Sequence, residues 1–145
     1  MSVGAICVRA VDTASANETV LQAARRMHDR KVGTLVVLDN SGEPIGLVTD
    51  RDLAVRVLAA TLDPTQTMVA DIMTPHPETI HEHAPIEEAL RVMRAGKFRR
   101  VPVVDARQKL VGLLSLDDVL ALLAEEFREI GSLVADESPR SLAGR

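Results

Sequence analysis

Apolar positions in this chain follow two different periods. Val20, Ala23, Ala24 and Met27 recur at spacings of three and four, which predicts a helix from about Glu18 to Arg30 with one apolar stripe. Ile86, Ala89, Leu90 and Met93 do the same, and predict a helix from about Pro85 to Ala95. Pro85 suits the first helical turn, where its missing N–H is harmless. The short aliphatic runs Thr34–Leu38 and Ile45–Thr49 flank the polar stretch Asp39-Asn40-Ser41-Gly42. They read as buried strands joined by a hairpin turn. Val101–Val104 and Leu110–Ser115, around Asp105-Ala106-Arg107-Gln108, repeat that pattern. A second helix is expected to begin near Asp50 and again near Leu116. A further strand is expected before each first helix, near Val8–Val11 and near Glu78–Ile80.

The two halves are copies. A shift of 66 residues aligns Val20–Leu58 with Ile86–Ala124 without a gap. Identical pairs include Ala23 with Ala89, Met27 with Met93, Lys31 with Lys97, Asp39 with Asp105 and Asp52 with Asp118, and Gly46-Leu47 matches Gly112-Leu113. A solenoid needs three or more stacked units, so two copies predict a duplicated unit about a pseudo-twofold axis. The expected fold is α/β (α+β): two β-α-β-β-α repeats packed sheet to sheet. The expected boundaries are residues 8–62 for the first repeat, 63–71 for a linker and 72–127 for the second. Residues 128–145 form a helical extension and tail. Within the linker region, Met68–Met73 reads as a short helical turn stopped by Thr74-Pro75. The last helix carries its apolar stripe past the repeat through Phe127, Ile130, Leu133 and Val134, and the polar stretch Asp136–Arg145 reads as a frayed tail.

Composition narrows the function. The chain has 145 residues, 46% of them hydrophobic, and that much apolar content supports a packed core without disulfide or metal. A net charge of −4 argues against a general nucleic-acid binder. With no Trp or Tyr and only two Phe, there is no platform for stacking single-stranded bases. One cysteine, Cys7, fits a reducing compartment and reads as an inert small hydrophobe. No apolar run reaches the ~18 residues of a membrane span, and the first residues lack the features of a secretory signal. The expected location is the cytoplasm. His81-Glu82-His83 offers only two imidazoles, so no metal site is expected. Arg91, Arg94, Lys97, Arg99 and Arg100 read as a solvated helix face and loop. No nucleophile–base arrangement or phosphate-binding Gly-rich loop is present, and no enzymatic activity is expected.

The chemistry concentrates where each β-hairpin ends. Gly46-Leu47-Val48-Thr49-Asp50-Arg51-Asp52 and Gly112-Leu113-Leu114-Ser115-Leu116-Asp117-Asp118 each place an Asp three residues after a hydroxyl, in a first helical turn. Such a pair caps the helix. The same Asp, at the mouth of a strand, can accept both hydroxyls of a ribose through charge-assisted bonds. A strand end opening onto a helix start also suits a phosphorylated ligand.

These two motifs, with Arg99-Arg100-Val101-Pro102-Val103-Val104-Asp105 and the leading Asp71-Ile72-Met73-Thr74-Pro75, resemble a tandem pair of cystathionine-β-synthase (CBS) domains over about Val8–Glu125. The resemblance implies a regulatory module with two clefts between the repeats. Such clefts take adenosine compounds: AMP, ADP or ATP, and less readily S-adenosylmethionine. It also implies a homodimer acting on an unknown target protein, with no cofactor beyond the regulatory nucleotide. Carried over, Asp52 and Asp118 would hold ribose hydroxyls, and Thr49 and Ser115 would meet phosphate or ribose oxygens. Arg100, with Arg99 beside it, would bind phosphate. Val32 and Phe98 would wall the adenine, and Thr74 and Thr79 would line the base. The first copy has Val32-Gly33-Thr34 where the second has Phe98-Arg99-Arg100, so it lacks that Arg, for which Arg51 would compensate. The two clefts are therefore expected to differ in affinity. A module of the same fold that binds proteins and no ligand is the rival expectation.

Overall fold

The computed structural model describes residues 1–143, with side-chain surroundings as far as Asp136. The elements are α1 (Val3–Ile6), β1 (Thr13–Ser15), α2 (Val20–Arg30), β2 (Thr34–Leu38), β3 (Pro44–Thr49) and α3 (Asp50–Asp52). They continue with α4 (Val69–Ile72), β4 (Thr74–Pro75), β5 (Ile80–His81), α5 (Ile86–Gly96), β6 (Arg100–Val104), β7 (Leu110–Ser115) and α6 (Leu116–Ala143).

Local chemistry explains most boundaries. Thr19 and Gln22 form a capping box at the start of α2. Lys31 and Lys97, the matched lysines, both end their helices in the left-handed conformation, at φ 56° and 57°. Asp39 accepts N–H bonds from Ser41 and Glu43, and Asp105 does so from Arg107 and Lys109. Each aspartate thus closes its own hairpin turn. α3 runs on as a wider π-type coil over Leu53–Leu58, closed by bonds such as Ala59 N–H to the Ala54 carbonyl at 2.9 Å. The second copy stays α-helical at the matching positions.

In each repeat the helix crosses between parallel strands, β1 to β2 and β5 to β6, and an antiparallel hairpin follows. One sheet has the order β1-β2-β3-β4, the other β5-β6-β7. Two cores result, built from matched residues: Ala23, Met27, Leu35, Val37 and Val48 in one, and Ala89, Met93, Val101, Val103 and Leu114 in the other. Strand alternation turns Val36 and Pro102 away from these cores, yet both are fully buried. The central strands are therefore covered on both faces, by their own helices and by the other repeat.

Two expectations need correction. The strand expected near Val8–Val11 lies at Thr13–Ser15, because Val8 pairs instead with Leu113 of the other repeat. The expected break after Ala135 is absent, since α6 continues to Ala143. Once a helix is nucleated, each further residue with an N–H extends it by one backbone bond, and Pro139 is the one residue of this stretch without an N–H. Gly144 and Arg145 lie outside the described residues.

The repeats exchange their leading segments. α1 docks on the second repeat through Val3 and Gly4 N–H groups bound to the Ala84 and Glu82 carbonyls, while α4 docks on the first through Val69 and Ala70 bound to Glu18 and Ala16. Val8 bridges Leu113 as Thr74 pairs with Leu47. Every one of these pairs obeys the 66-residue shift. The exchange also explains the matched glycines. A Cβ on Gly46 would collide with Met73, and one on Gly112 with Cys7, the side chains that close each exchanged segment over its strand.

Candidate functional site

Both hydroxyl-x-x-Asp motifs form complete capping boxes. Ser115 N–H donates to Asp118 Oδ2 at 2.9 Å, and Asp118 N–H donates to Ser115 Oγ at 3.1 Å. Thr49 and Asp52 make the same two bonds, at 2.9 and 3.1 Å. Capping therefore uses one carboxylate oxygen of each Asp. The other oxygens differ. Asp52 Oδ1 faces Arg56 Nε at 3.7 Å, one helical turn on. The residue matching Arg56 in the second copy is Leu122, and Asp118 Oδ1 has no polar partner among the described residues.

Asp118 and Ser115 open onto a cleft of about 240 Å³. Its opposite wall is Val32, Gly33 and Thr34, where α2 turns into β2, and Arg100 at the start of β6 completes it. The exchanged leading segment closes the cleft with Val8, Ala10, Val11 and Asp12. Asp12 is neutralised there by Arg30, Nε to Oδ1 at 2.8 Å. The cleft thus offers an apolar slot, small residues that let a ligand approach the backbone, two hydroxyls, a carboxylate oxygen and a guanidinium.

A second cleft of about 220 Å³ is lined by Leu47, Thr74, His76, Glu78, Phe98 and Arg100, with Pro75 and Pro77 in its rim. By the repeat shift it is the counterpart of the first, with Thr74–Glu78 in place of Val8–Asp12 and Phe98 in place of Val32. The Phe98 ring lies over Gly96. Gly96 stands where the first repeat has Arg30, so Glu78 has no matching cation, and it makes no ion pair among the described residues. A neighbouring hollow holds Thr79 with His76 and Pro77.

Eight of the residues singled out in the sequence meet in the two clefts: Val32, Gly33, Thr34, Arg100, Ser115 and Asp118 in the first, Thr74, Phe98 and again Arg100 in the second. The others stand apart. Thr49 and Asp52 are not on the wall of the second cleft. Arg99 faces Asp117 at 3.6 Å, and Arg51 is exposed with no side-chain partner among the described residues. Neither arginine lines a cleft. The sequence reasoning missed the walls made by Val8–Asp12 and His76–Glu78. Their signal was present: Val3-Gly4-Ala5-Ile6 matches Val69-Ala70-Asp71-Ile72 under the same shift, which extends the repeat back to the start of the chain.

A larger open hollow of about 540 Å³ beside β1 is lined by Asp12, Glu18, Arg26 and Asp39. Its charges are already satisfied: Arg26 pairs with Glu18 and donates to the Thr13 carbonyl, and Asp39 holds its own turn. Burial of Cys7 pushes its thiol up from the ordinary range, so the thiolate is scarce near neutral pH. Among the described residues no three His, Cys, Asp or Glu side chains gather as a metal site, and no helix is long and apolar enough to cross a membrane.

Known proteins resemble this chain in sequence and in fold. Protein YlbB of Bacillus subtilis is 37% identical over 122 residues, covering 83% of this chain and 80% of YlbB. Protein MK0525 of Methanopyrus kandleri is 34% identical over 120 residues, covering 83% of this chain, which spans 61% of that relative's length. Among solved structures, CBSX2 in complex with AMP superposes with a TM-score of 0.72 at 28% identity, over 86% of this chain and 96% of that one. The CBS domain pair of protein MJ0100, in complex with 5′-methylthioadenosine and S-adenosyl-L-methionine, gives 0.74 at 27% identity, over 85% and 99%. The CBS domain profile matches twice, at residues 3–59 and 69–125, each match taking in one exchanged leading helix, so the chain belongs to the CBS domain family and consists mainly of one tandem pair.

Proposed function

We propose that this protein is a regulatory module that reversibly binds an adenosine compound in the Asp118 cleft, with AMP, ADP or ATP preferred to S-adenosylmethionine. The observation that carries this reading is the open Oδ1 of Asp118, on one cavity with Arg100. A carboxylate oxygen not consumed by capping can accept ribose hydroxyls, and an unpaired guanidinium can take a phosphate. Val8, Val11 and Val32 supply the apolar wall that a purine needs. The ligands named for CBSX2 and MJ0100 support the same class. The module works by binding, without catalysis and without a resident cofactor, in the cytoplasm.

The output is carried by a homodimer. Leu120, Leu123, Phe127, Ile130 and Val134 are exposed on α6 and fall at alternating intervals of three and four, the spacing of a coiled-coil seam. Phe127 is 71% and Ile130 55% exposed, more apolar surface than one helix face leaves unpartnered without a reason. Ligand shifts the arrangement of the pair to the extent that it binds one arrangement more tightly.

A thermal-shift panel of adenosine, AMP, ADP, ATP and S-adenosylmethionine tests the reading. A ligand at about 100 times its Kd stabilises by about 2.7 kcal/mol, roughly 5–10 °C in a chain of this size. If no adenosine compound moves the midpoint at millimolar concentration, the rival reading, a ligand-free interaction module, takes its place.

A further inference from the structure

Positions 34 and 100 are equivalent in the two repeats, and Thr34 and Arg100 both line the Asp118 cleft. A residue and its repeat mate share one wall only near the pseudo-twofold axis. Arg100 lines the second cleft as well. The axis therefore carries one guanidinium where a symmetric pair would carry two, and it stands between two cavities. The Arg100 side chain makes no hydrogen bond or ion pair among the described residues, whereas Arg99, Arg30 and Arg56 face Asp117, Asp12 and Asp52.

The acids divide the clefts further. In the Asp118 cleft, Asp12 is neutralised by Arg30. In the second, Gly96 replaces that arginine, and Glu78 has no ion-pair partner among the described residues. A phosphate entering the second cleft meets a carboxylate, and Arg100 is the one permanent cation on the lining, with the His76 imidazole beside it. Like charges at close range oppose binding, and one guanidinium fork cannot give its full set of bonds to two phosphates.

Building on the adenosine reading above, we propose that Arg100 is shared by the two clefts as their phosphate-recognising group. A phosphorylated adenosine in the Asp118 cleft then leaves the second cleft selective for an adenosine compound with no negative charge on its 5′ substituent. Phosphorylated ligands in the two clefts oppose each other, and by linkage they do so reciprocally. Uncharged ligands do not.

Calorimetric titration of the full chain with AMP and with adenosine tests this. Wild type takes a second AMP at least about tenfold more weakly than the first, the lower end of what a lost charge-assisted bond costs. Asp118→Asn weakens the first cleft yet keeps an acceptor for the Ser115 N–H. In that variant Arg100 is released, and AMP enters the second cleft at least about tenfold more tightly than in the second wild-type step. Adenosine affinity at the second cleft stays the same. With Arg100→Ala, AMP binding at the second cleft no longer responds to Asp118→Asn. An AMP constant at the second cleft that Asp118→Asn leaves unchanged overturns the sharing and leaves the adenosine reading standing. So does an Asp118→Asn protein that takes adenosine there but no AMP. A chain that binds neither adenosine nor AMP removes the adenosine reading itself.

Discussion

Gly112→Ala strikes the point where the exchanged N-terminal segment crosses β7. An added Cβ would stand 2.5 Å from Cys7 Sγ and 3.0 Å from the Val8 carbonyl oxygen. Carbon needs about 3.5 Å from a heavy neighbour, so the segment must recede by about 1 Å. It is not free to do so. Val8 is held to Leu113, the next residue, by two backbone bonds of 2.9 Å each. Cys7 has a single side-chain rotor, and the Val8 carbonyl that the Cβ also meets is backbone. Overpacking of this kind costs about 1–3 kcal/mol. At about 2–4 °C per kcal/mol, the midpoint should fall by roughly 2–12 °C. Gly46→Ala is the control, because the atoms it meets belong to Met73, whose unbranched chain can swing aside, and its loss should stay under about 1 kcal/mol. Cys7→Ala removes the obstructing sulfur. Combined with Gly112→Ala it should recover at least about 1 kcal/mol of the loss, read as the coupling in a double-mutant cycle of urea unfolding. Because Val8 and Ala10 wall the Asp118 cleft, Gly112→Ala should also weaken its ligand, and the double variant should restore it. Equal costs for the two glycines, or a double variant no better than Gly112→Ala, would refute the account of why glycine stands there.

Asp118→Ala deletes the acceptor of the Ser115 N–H and should lower stability by about 0.5–2 kcal/mol, whereas Asp118→Asn should cost less than about 1 kcal/mol; equal losses in thermal melts would sink the capping assignment. Phe127→Asp with Ile130→Asp should move the light-scattering mass toward 15.7 kDa while circular dichroism stays helical, and an unchanged dimer mass would place the interface elsewhere. The N–H groups of Lys109 and Arg107 hold the Asp105 carboxyl below the usual carboxylate range, and the Ser41 hydroxyl with the Glu43 and Ser41 N–H groups does so for Asp39. A carboxyl lowered on folding adds stability above its unfolded value, near 3.9, and loses it as pH falls through the folded value. Asp105→Asn should therefore be less stable than wild type at pH 6, and the two urea midpoints should converge as pH falls through the folded value; a gap that persists once the carboxyl is protonated would contradict the assignment.

What the chain determined by itself is local or periodic. Helix stripes such as Ala89–Met93, buried runs such as Thr34–Leu38, the Asp-closed hairpins and the capping motifs each depend on residues within a few positions of one another, so spacing alone reveals them. The duplication was equally legible, because two sequences under the same packing demands keep the same residues at matched positions. Ser115, Asp118, Thr34 and Arg100 could be singled out as chemistry, but not which cavity each would face. That was decided by contacts across the chain. Val8 bridges Leu113 and Thr74 pairs with Leu47, so each cleft is walled by the other repeat's leading segment. The same exchange moved the first strand from Val8–Val11 to Thr13–Ser15, laid Met73 over Gly46, and made glycine necessary at position 112. Asp52 and Asp118 hold matched positions, and the difference between their free oxygens is local: Arg56 stands four residues after Asp52, and Leu122 four after Asp118. The position of Arg100 between two clefts is a property of the pseudo-twofold axis. An axis is defined only when two copies are packed, and no stretch of sequence contains it.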